Sequence, residues 1–376
     1  MIDENLKILV TGAKGFIGKN LVAELKNRKI REIFEFDVDN DPEDLDSFTA
    51  KCDIVFHLAG INRPKDEKEF TEGNLDFTSA LISALKKNRN NAPVIFSSSS
   101  QAALDNPYGK SKKAAEDLIA AYSGSAGVPV LIYRLPNVFG KWCRPSYNSV
   151  VATFCHNIAN GLPITINDPE ARLNLIYIDD VLDEFLNKAG NITELSGCQL
   201  IDHLSPLHSI SLYQLSVLLT SFYQSREDKS IPDFSDPLTK KLYATYLSYL
   251  PPNGFIYPLK MNIDPRGSFT EFIRTPDRGQ VSVNISKPGI VKGNHWHHTK
   301  NEKFLVVSGT GIIRFRKTGT SEIIEYQVNG EKLEVLDIPP GYTHNIENIG
   351  STDMVTVMWV SEAFDKERMD TVFEEV

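Results

Sequence analysis

At 376 residues the chain is longer than one ordinary hydrophobic core needs and suits two domains, the first roughly twice the size of the second. A formal charge of -9 with no Lys/Arg block excludes a basic nucleic-acid-binding surface, and an apolar share of 41% is that of a chain folded throughout. No run reaches membrane-spanning length, and the opening MIDENLKILVTG reads as a strand entry with no signal peptide, so a cytoplasmic protein without membrane insertion is expected. Cys52, Cys143, Cys155 and Cys198 form no C-x-x-C pair and sit in apolar or mixed segments, which favours buried free thiols.

From Leu6 short apolar runs alternate with helical patterns: LKILV, a helix from Phe16, EIFEFD, CDIVFHLAG, a helix from about Phe70, APVIFSSSS, a helix from Tyr108, and VPVLIYRL. Continuous apolar strands separated by helices predict a parallel sheet covered on both faces, a doubly wound α/β domain of the Rossmann type. The first strand runs into Thr11-Gly12-Ala13-Lys14-Gly15-Phe16-Ile17-Gly18 at the start of a helix. Glycines there let the backbone approach a pyrophosphate, and the helix N-terminus offers unpaired N–H groups to it. Asp37, at the end of the second strand, favours a free ribose hydroxyl and hence NADH, while Lys14 is the nearby cation for a 2′-phosphate and hence NADPH. The residues leave both cofactors open.

The stretch SSSSQAALDNPYGKSK carries chemistry. Tyr108 opens a helix and Lys112 lies four residues on, so both occupy one face and the ammonium is expected to lower the phenol's pKa. A hydroxyl from the serine run would share the substrate oxygen while Tyr108 moves a proton. This set, with TGAKGFIG, HLAG (His57, Leu58, Ala59, Gly60), Asn74 and YRLPNVFG, resembles the extended short-chain dehydrogenase/reductase family. The resemblance implies Ser99, Tyr108 and Lys112 as the catalytic set. It also implies a nicotinamide cofactor lying against Gly12, Lys14, Gly15, Phe16, Ile17, Gly18, Asp37, Leu58, Ala59, Gly60, Tyr108 and Lys112. The short serine-to-tyrosine segment keeps Ser98 and Ser100 in play beside Ser99.

Beyond Gly140 the chain enters the region where extended reductases acting on sugar nucleotides build a substrate pocket, and Arg134, Asn137 and Arg172 are candidates to hold a diphosphate. Asp179-Asp180 is expected to cap a helix. Helical pattern returns from Ser211 and from Pro237 to Tyr249, after which Pro251-Pro252-Asn253-Gly254 reads as a linker. The expected domains are 1–250 and 255–376.

After the linker, many short β runs punctuated by Gly, Pro and Asn predict a small β-barrel. In an extended strand His295 and His297 project to one face while Trp296 points away, and a short turn brings Glu302 to the same point. Pro339-Pro340-Gly341 then turns into a strand carrying His344. Gly289, His295, His297, Glu302 and Gly309, followed by Pro339, Gly341, His344 and Asn348, resemble the two motifs of the cupin family, with Leu333 replacing the glycine that often opens the second. The resemblance implies an all-β cupin (jelly-roll) barrel with a metal on His295, His297, Glu302 and His344. Such ligands suit zinc, iron and manganese alike, and zinc is the ion expected here.

The join of the two modules is more specific than either. It resembles the bifunctional capsular polysaccharide synthesis enzymes of CapF type over essentially the whole chain, through FGKWCRPSYNSVVATF, YLSYLP, MNIDPRGSFTEFIRTPDRGQVSVNISKPG and HWHHTKNEKFLVVSG. That resemblance implies a cupin domain that epimerises carbon 3 of a UDP-linked 4-keto-6-deoxy-N-acetylhexosamine and a reductase domain that reduces the 4-ketone with NADPH. The implied product is UDP-2-acetamido-2,6-dideoxy-L-talose, a precursor of UDP-N-acetyl-L-fucosamine, and the implied assembly is a homodimer. Two rivals are an NAD-retaining UDP-sugar epimerase or dehydratase whose cupin only oligomerises the chain, and a non-enzymatic sugar sensor, against which the intact Ser-Tyr-Lys set argues.

Overall fold

The computed structural model describes residues 2–62, 70–363 and 370–376. Two compact units divide the chain: residues 1–220 with 234–251, and residues 221–233 with 252–376.

In the first unit the strands are β1 (Lys7–Thr11), β2 (Glu32–Phe36), β3 (Ile54–His57), β4 (Val94–Ser99), β5 (Val130–Leu135), β6 (Asn137–Phe139), β7 (Arg172–Tyr177), β8 (Cys198–Ile201) and β9 (His208–Ser211). Six of them form a parallel sheet in the order β2-β1-β3-β4-β5-β8. The alternation of side chains explains why these runs carry no polar face. Ile8 and Val10, Ile54 and Phe56, and Leu131 and Tyr133 face one core; Leu9, Val55, Val130 and Ile132 face the other. Helices α1 (Phe16–Asn27) and α2 (Pro42–Thr49) follow β1 and β2, and α3 (Phe77–Lys87) and α4 (Pro107–Ala126) flank β4. Leu21 and Leu25 of α1 fill the first core, and Leu81 and Leu85 of α3 with Ala115 and Ile119 of α4 fill the second. Truncating any of these leucines to alanine would cost about 2–5 kcal/mol.

Local chemistry sets where α4 begins, and so where Tyr108 stands. The Asn106 side chain accepts from Gly109 N at 2.8 Å, Pro107 occupies the first turn without leaving a donor unpaired, and Gly127 ends the helix in the left-handed region at φ 70°. The remaining helices of this unit are α5 (Val150–Ala159), α6 (Ile178–Ala189), the first residues of α7 (Leu212–Asp228), and α8 (Pro237–Leu247). β6, β7 and β9 make a separate three-stranded sheet. Two expectations are corrected here. Asp179 and Asp180 do not cap α6, whose N-cap is Tyr177; they lie in its first turn, paired with Lys141 and Lys241. Cys198 is exposed on β8, whereas Cys52 and Cys155 are buried, and all four thiols are free.

The second unit is antiparallel. Its strands are β10 (Asn262–Asp264), β11 (Gly267–Thr275), β12 (Gly279–Ser286), β13 (Val291–Trp296), β14 (Glu302–Ser308), β15 (Thr310–Lys317), β16 (Ile323–Asn329), β17 (Val335–Ile338), β18 (Tyr342–Asn348), β19 (Met354–Val360) and β20 (Val372–Phe373). They form two sheets, β10-β11-β12-β19-β14-β17 and β16-β15-β18-β13-β20, the paired layers of a cupin barrel. Phe304, Val306, Ile313, Phe315, Ile338, Ile346 and Met354 make its apolar core. Along β12 the usual alternation is inverted: Gln280, Ser282, Asn284 and Ser286 are buried, so one wall of the interior is polar. Residues 221–233, expected with the first domain, join this unit because Arg274 N donates to Lys229 O at 2.8 Å and the Arg226 guanidinium lies 4.3 Å over the Tyr257 ring. Among the described residues no helix is long and apolar enough to cross a membrane.

Candidate active sites

The first site lies at the carboxyl ends of β1, β3 and β4, beside the point where the strand order reverses between β1 and β3. Gly12 adopts φ 68°, and a Cβ there would meet Ala59 N at 2.7 Å; a Cβ at Gly18 would meet Gly12 O at 2.1 Å. Only glycine fits both positions. Gly15 precedes α1 with no side chain capping the helix, so the first-turn N–H groups open onto the loop. The loop is tied to β2 because Lys14 N donates to Asp37 Oδ2 at 2.7 Å, while Val38 N donates to Asp37 Oδ1 at 2.8 Å. The Lys14 ammonium pairs with Asp39.

At the end of β4 the serines separate by partner. Ser97 Oγ lies 3.5 Å from His57 O, Ser98 Oγ donates to the buried Glu116 at 2.6 Å, and Ser99 accepts from Gln101 N at 3.2 Å. Of residues 98–100, Ser99 is the serine that acts on the Tyr108 phenol, drawing its pKa down against burial, and Ser100 is exposed at the start of a short 3₁₀ turn. The Lys112 ammonium is buried and donates to Ser97 O at 2.9 Å. Burial lowers its pKa to about 8, against the opposing charge of Glu116. The expected lowering of the phenol does not occur: burial raises the Tyr108 pKa and Ser99 only partly offsets it, while the Lys112 ammonium is engaged with the Ser97 carbonyl.

Three further residues hold this arrangement: His57 and Asn74, which carried the family resemblance without an assigned role, and Glu116, which the sequence did not single out. His57 is fully buried between Thr11 Oγ1 at 2.8 Å and Thr78 Oγ1 at 2.9 Å, and burial holds it neutral with a pKa of about 3. Asn74 accepts from Ile61 N at 3.0 Å and donates to Ser111 Oγ at 3.1 Å, pinning the loop after β3 to α4. Gly60 sits between Asn74 and the ammonium, where a Cβ would approach Asn74 Oδ1 to 2.7 Å and Lys112 Nζ to 3.1 Å. The third is Glu116. It takes the Arg134 fork at 2.9 and 2.7 Å, so the Arg134 guanidinium is engaged in a largely buried ion pair. Asn137 and Arg172 are exposed on the small sheet, bonded to Asn174 O and Ser209 Oγ.

The second site is in the barrel. A bulge after Gly293, with Asn294 at φ 59°, sets His295 directly opposite His344 on β18. His297 follows the end of β13, and Glu302 opens β14. One ligand atom from each of His295, His297, Glu302 and His344 lies within 4.8 Å of the others. Glu302 Oε2 is 3.0 Å from His344 Nε2 and 3.7 Å from His297 Nε2, yet none of these three buried atoms has a hydrogen-bond partner. Orphaned buried acceptors converging on one point are costly unless a cation serves them, so the donor set fits a divalent metal. Burial lowers the His295 pKa to about 4, which keeps it a neutral ligand, while burial of the Glu302 carboxyl is outweighed by the nearness of His297 and His344, which hold it below the usual carboxylate range.

Beside these side chains is a cavity of about 490 Å³, lined by His295, His344, Asn284, Lys292, Arg266 and Asp264 among others. The Lys292 ammonium donates to Asn284 Oδ1 and Ile285 O, each at 2.8 Å. With two of three donors used, one N–H is left for a ligand. Leu333 lies exposed in a loop, and Asn348 stitches neighbouring segments by donating to Ser286 O and Thr352 O.

A parallel sheet with a glycine cradle and a Ser-Tyr-Lys set, followed by a barrel with three histidines and a glutamate, defines a short-chain dehydrogenase/reductase joined to a cupin. Residues 8–191 match the NAD dependent epimerase/dehydratase family, and residues 262–372 match the polysaccharide biosynthesis C-terminal domain. The chain is 44% identical over 367 residues to UDP-2-acetamido-2,6-beta-L-arabino-hexul-4-ose reductase of Pseudomonas aeruginosa, covering 97% of this chain and 98% of that one. It is similar to the crystal structure of the capsular polysaccharide assembling protein CapF from Staphylococcus aureus, with 51% identity, a TM-score of 0.91, and coverage of 99% of this chain and 100% of that one. A CapF structure with the inhibitor 3-isopropenyl-tropolone is 49% identical with a TM-score of 0.87, over 99% of this chain and 100% of that one. The chain belongs to this CapF-type family of capsular polysaccharide assembly proteins.

Proposed function

We propose that the chain is a bifunctional UDP-sugar enzyme of capsule synthesis. Its barrel epimerises carbon 3 of a UDP-2-acetamido-2,6-dideoxy-4-hexulose, and its parallel-sheet domain reduces the 4-ketone with NADPH to UDP-2-acetamido-2,6-dideoxy-L-talose. The observation that supports this reading is that one chain carries two chemically different candidate sites, Ser99, Tyr108 and Lys112 beside a glycine cradle, and a buried ligand set without hydrogen-bond partners beside a cavity. The Pseudomonas aeruginosa relative, named as a reductase of a UDP-linked 4-ketosugar, supports the substrate class.

A nicotinamide dinucleotide in the glycine cradle supplies the hydride. Tyr108, whose pKa burial raises, stays protonated at neutral pH and can give its proton to the oxygen at carbon 4. Ser99 donates to the same oxygen and orients it, and Lys112, anchored on Ser97 O, fixes the helix face that carries the phenol. In the barrel, a divalent metal on His295, His297, Glu302 and His344, which we take to be zinc, supplies Lewis acidity beside a ketone. Lys292 offers its remaining N–H to the oxygen that gains negative charge as the neighbouring carbon loses its proton. A cupin serving only to oligomerise an NAD-retaining epimerase would leave the three orphaned ligand atoms without a use.

The test is incubation with the 4-keto UDP-sugar in deuterated water with NADPH or NADH, following nicotinamide absorbance and product stereochemistry. Deuterium at carbon 3 with inversion there, and hydride at carbon 4, are expected. Nicotinamide consumption without inversion at carbon 3 would remove the epimerase half of the proposal.

A further inference from the structure

We propose that Asp370 is a positioning residue of the barrel's ligand set, latching residues 370–374 onto the turn between His297 and Glu302 so that metal binding and docking of this segment are coupled. The inference rests on the metal-binding reading of that site. The turn presents three consecutive backbone N–H groups to one spot, and the Asp370 carboxylate fills it. Oδ1 accepts from His298 N at 2.9 Å, and Oδ2 accepts from Thr299 N and Lys300 N at 2.9 Å and from Thr299 Oγ1 at 3.1 Å. Backbone donors arranged in this way form an anion-binding concavity, and a carboxylate inside one resists displacement by water.

The same residue acts on a ligand through its main chain. His297 Nδ1 donates to Asp370 O, and Thr371 Oγ1 lies 3.5 Å from the same nitrogen. A proton held on Nδ1 leaves Nε2 bare, and Nε2 is the buried, partnerless atom that faces Glu302. The next residues reach a second ligand: β20 pairs Val372 with Trp296 and Phe373 with His295, and Glu374 N donates to Asn294 O at 3.0 Å. Apolar burial does little to hold this strand, since Val372 is 38% and Phe373 74% exposed. Polar bonds therefore carry the docking, through Asp370 at one end and the 2.7 Å Glu374–Arg316 pair at the other. Two ligands thus depend for their orientation on a segment some seventy residues further along the chain. Coupling of this kind is reciprocal: whatever the segment adds to metal affinity, the metal adds to the docking of the segment.

The experiment uses the full chain, stripped with chelator and titrated with Zn²⁺ against a chromophoric competitor and, separately, with Co²⁺ while recording its visible spectrum. Asp370→Asn is expected to weaken Zn²⁺ binding about 10- to 100-fold, as loss of an outer-shell partner typically does. It should also change the Co²⁺ band shape, while nicotinamide binding by the other unit stays as in the unmodified chain. Wild-type affinity and spectrum in Asp370→Asn would overturn the latch and leave the metal site standing. Failure of the unmodified chain to bind either ion would overturn the metal reading and the latch with it. A second measurement needs no variant: amide exchange at Val372–Glu374 in the unmodified protein should slow on adding Zn²⁺, and equal rates with and without the ion would overturn the coupling.

Discussion

The two sites differ in how far they are satisfied by the protein alone. Around Tyr108 nearly every polar group has a partner within the chain: Lys112 on Ser97 O, Ser98 on Glu116, Ser99 on Gln101 N and Asn74 on Ile61 and Ser111. In the barrel, His297 Nε2, Glu302 Oε2 and His344 Nε2 are buried and unpaired. A satisfied site is rigid before its ligand arrives, and its ligand adds affinity and chemistry more than fold stability. An unsatisfied site stores a desolvation cost that binding relieves, so its ligand is also part of the fold.

That contrast is broken most directly by chelation. Removing metal from the full chain should abolish solvent exchange at carbon 3 and lower the melting temperature of the barrel on the order of 10 °C, the shift expected when an ion present at a hundredfold its Kd is lost. Reduction of an already epimerised ketosugar should persist. Calorimetry and the two assays together check this; a barrel that melts unchanged after chelation would mean that the orphaned atoms find partners in water instead. The converse experiment is Tyr108→Phe, expected to slow ketone reduction about 100- to 10,000-fold with exchange at carbon 3 retained. Equal loss of both activities would show that the sites are not chemically independent.

A smaller effect probes the satisfied site from within. The Lys112 pKa falls from its ordinary 10.5 to about 8 through burial, with Glu116 opposing. Between those values the unfolded chain binds a proton that the folded chain does not, so the fold gains stability as pH rises through that window and carries the full cost of the buried charge below it. The gap corresponds to about 3 kcal/mol. Denaturant titrations of the unmodified protein and Lys112→Met at about pH 7.5 and about pH 10.5 isolate it: the difference between them should move toward the unmodified protein by up to that amount. Parallel pH profiles would show that the ammonium is not paying a burial cost.

What could be read from the sequence follows the same division between local and distant chemistry. Strand runs such as KILVT and VIFSSS, the glycine cradle and the His295, His297, Glu302 spacing are set by nearest neighbours along the chain, and the parallel sheet and the barrel follow from them. Asp370 gave no signal, because a carboxylate that serves backbone N–H groups has no required spacing from them. The Glu116 partner of Arg134, 18 residues away, gave no local signal, and residues 221–233 looked like part of the first domain until Lys229 met Arg274. The direction of the Tyr108 shift was missed for a related reason: the i, i+4 spacing puts Lys112 on the right face, but burial of the phenol, which only the fold reveals, decides the direction.

The smallest expected effect concerns the cofactor's far end, where the first site is least satisfied. Asp37 is tied into the loop by Lys14 N and Val38 N, which fixes an anion at the end of β2, and in dinucleotide folds an acid there favours a free ribose hydroxyl. Lys14 is the compensating cation, but its ammonium pairs with Asp39, and both side chains are well exposed, at 60% and 59%. Exposed pairs are weak and screened by salt, so Lys14 can exchange Asp39 for a phosphate at little cost. If NADPH is the donor, Lys14→Ala should raise the KM for NADPH about three- to tenfold at low salt, with less effect at high salt, and leave that for NADH nearly unchanged. Steady-state kinetics with both cofactors decide it. An equal rise for the two would mean that Lys14 supports the loop and does not read the phosphate, leaving Asp37 to set a preference for NADH.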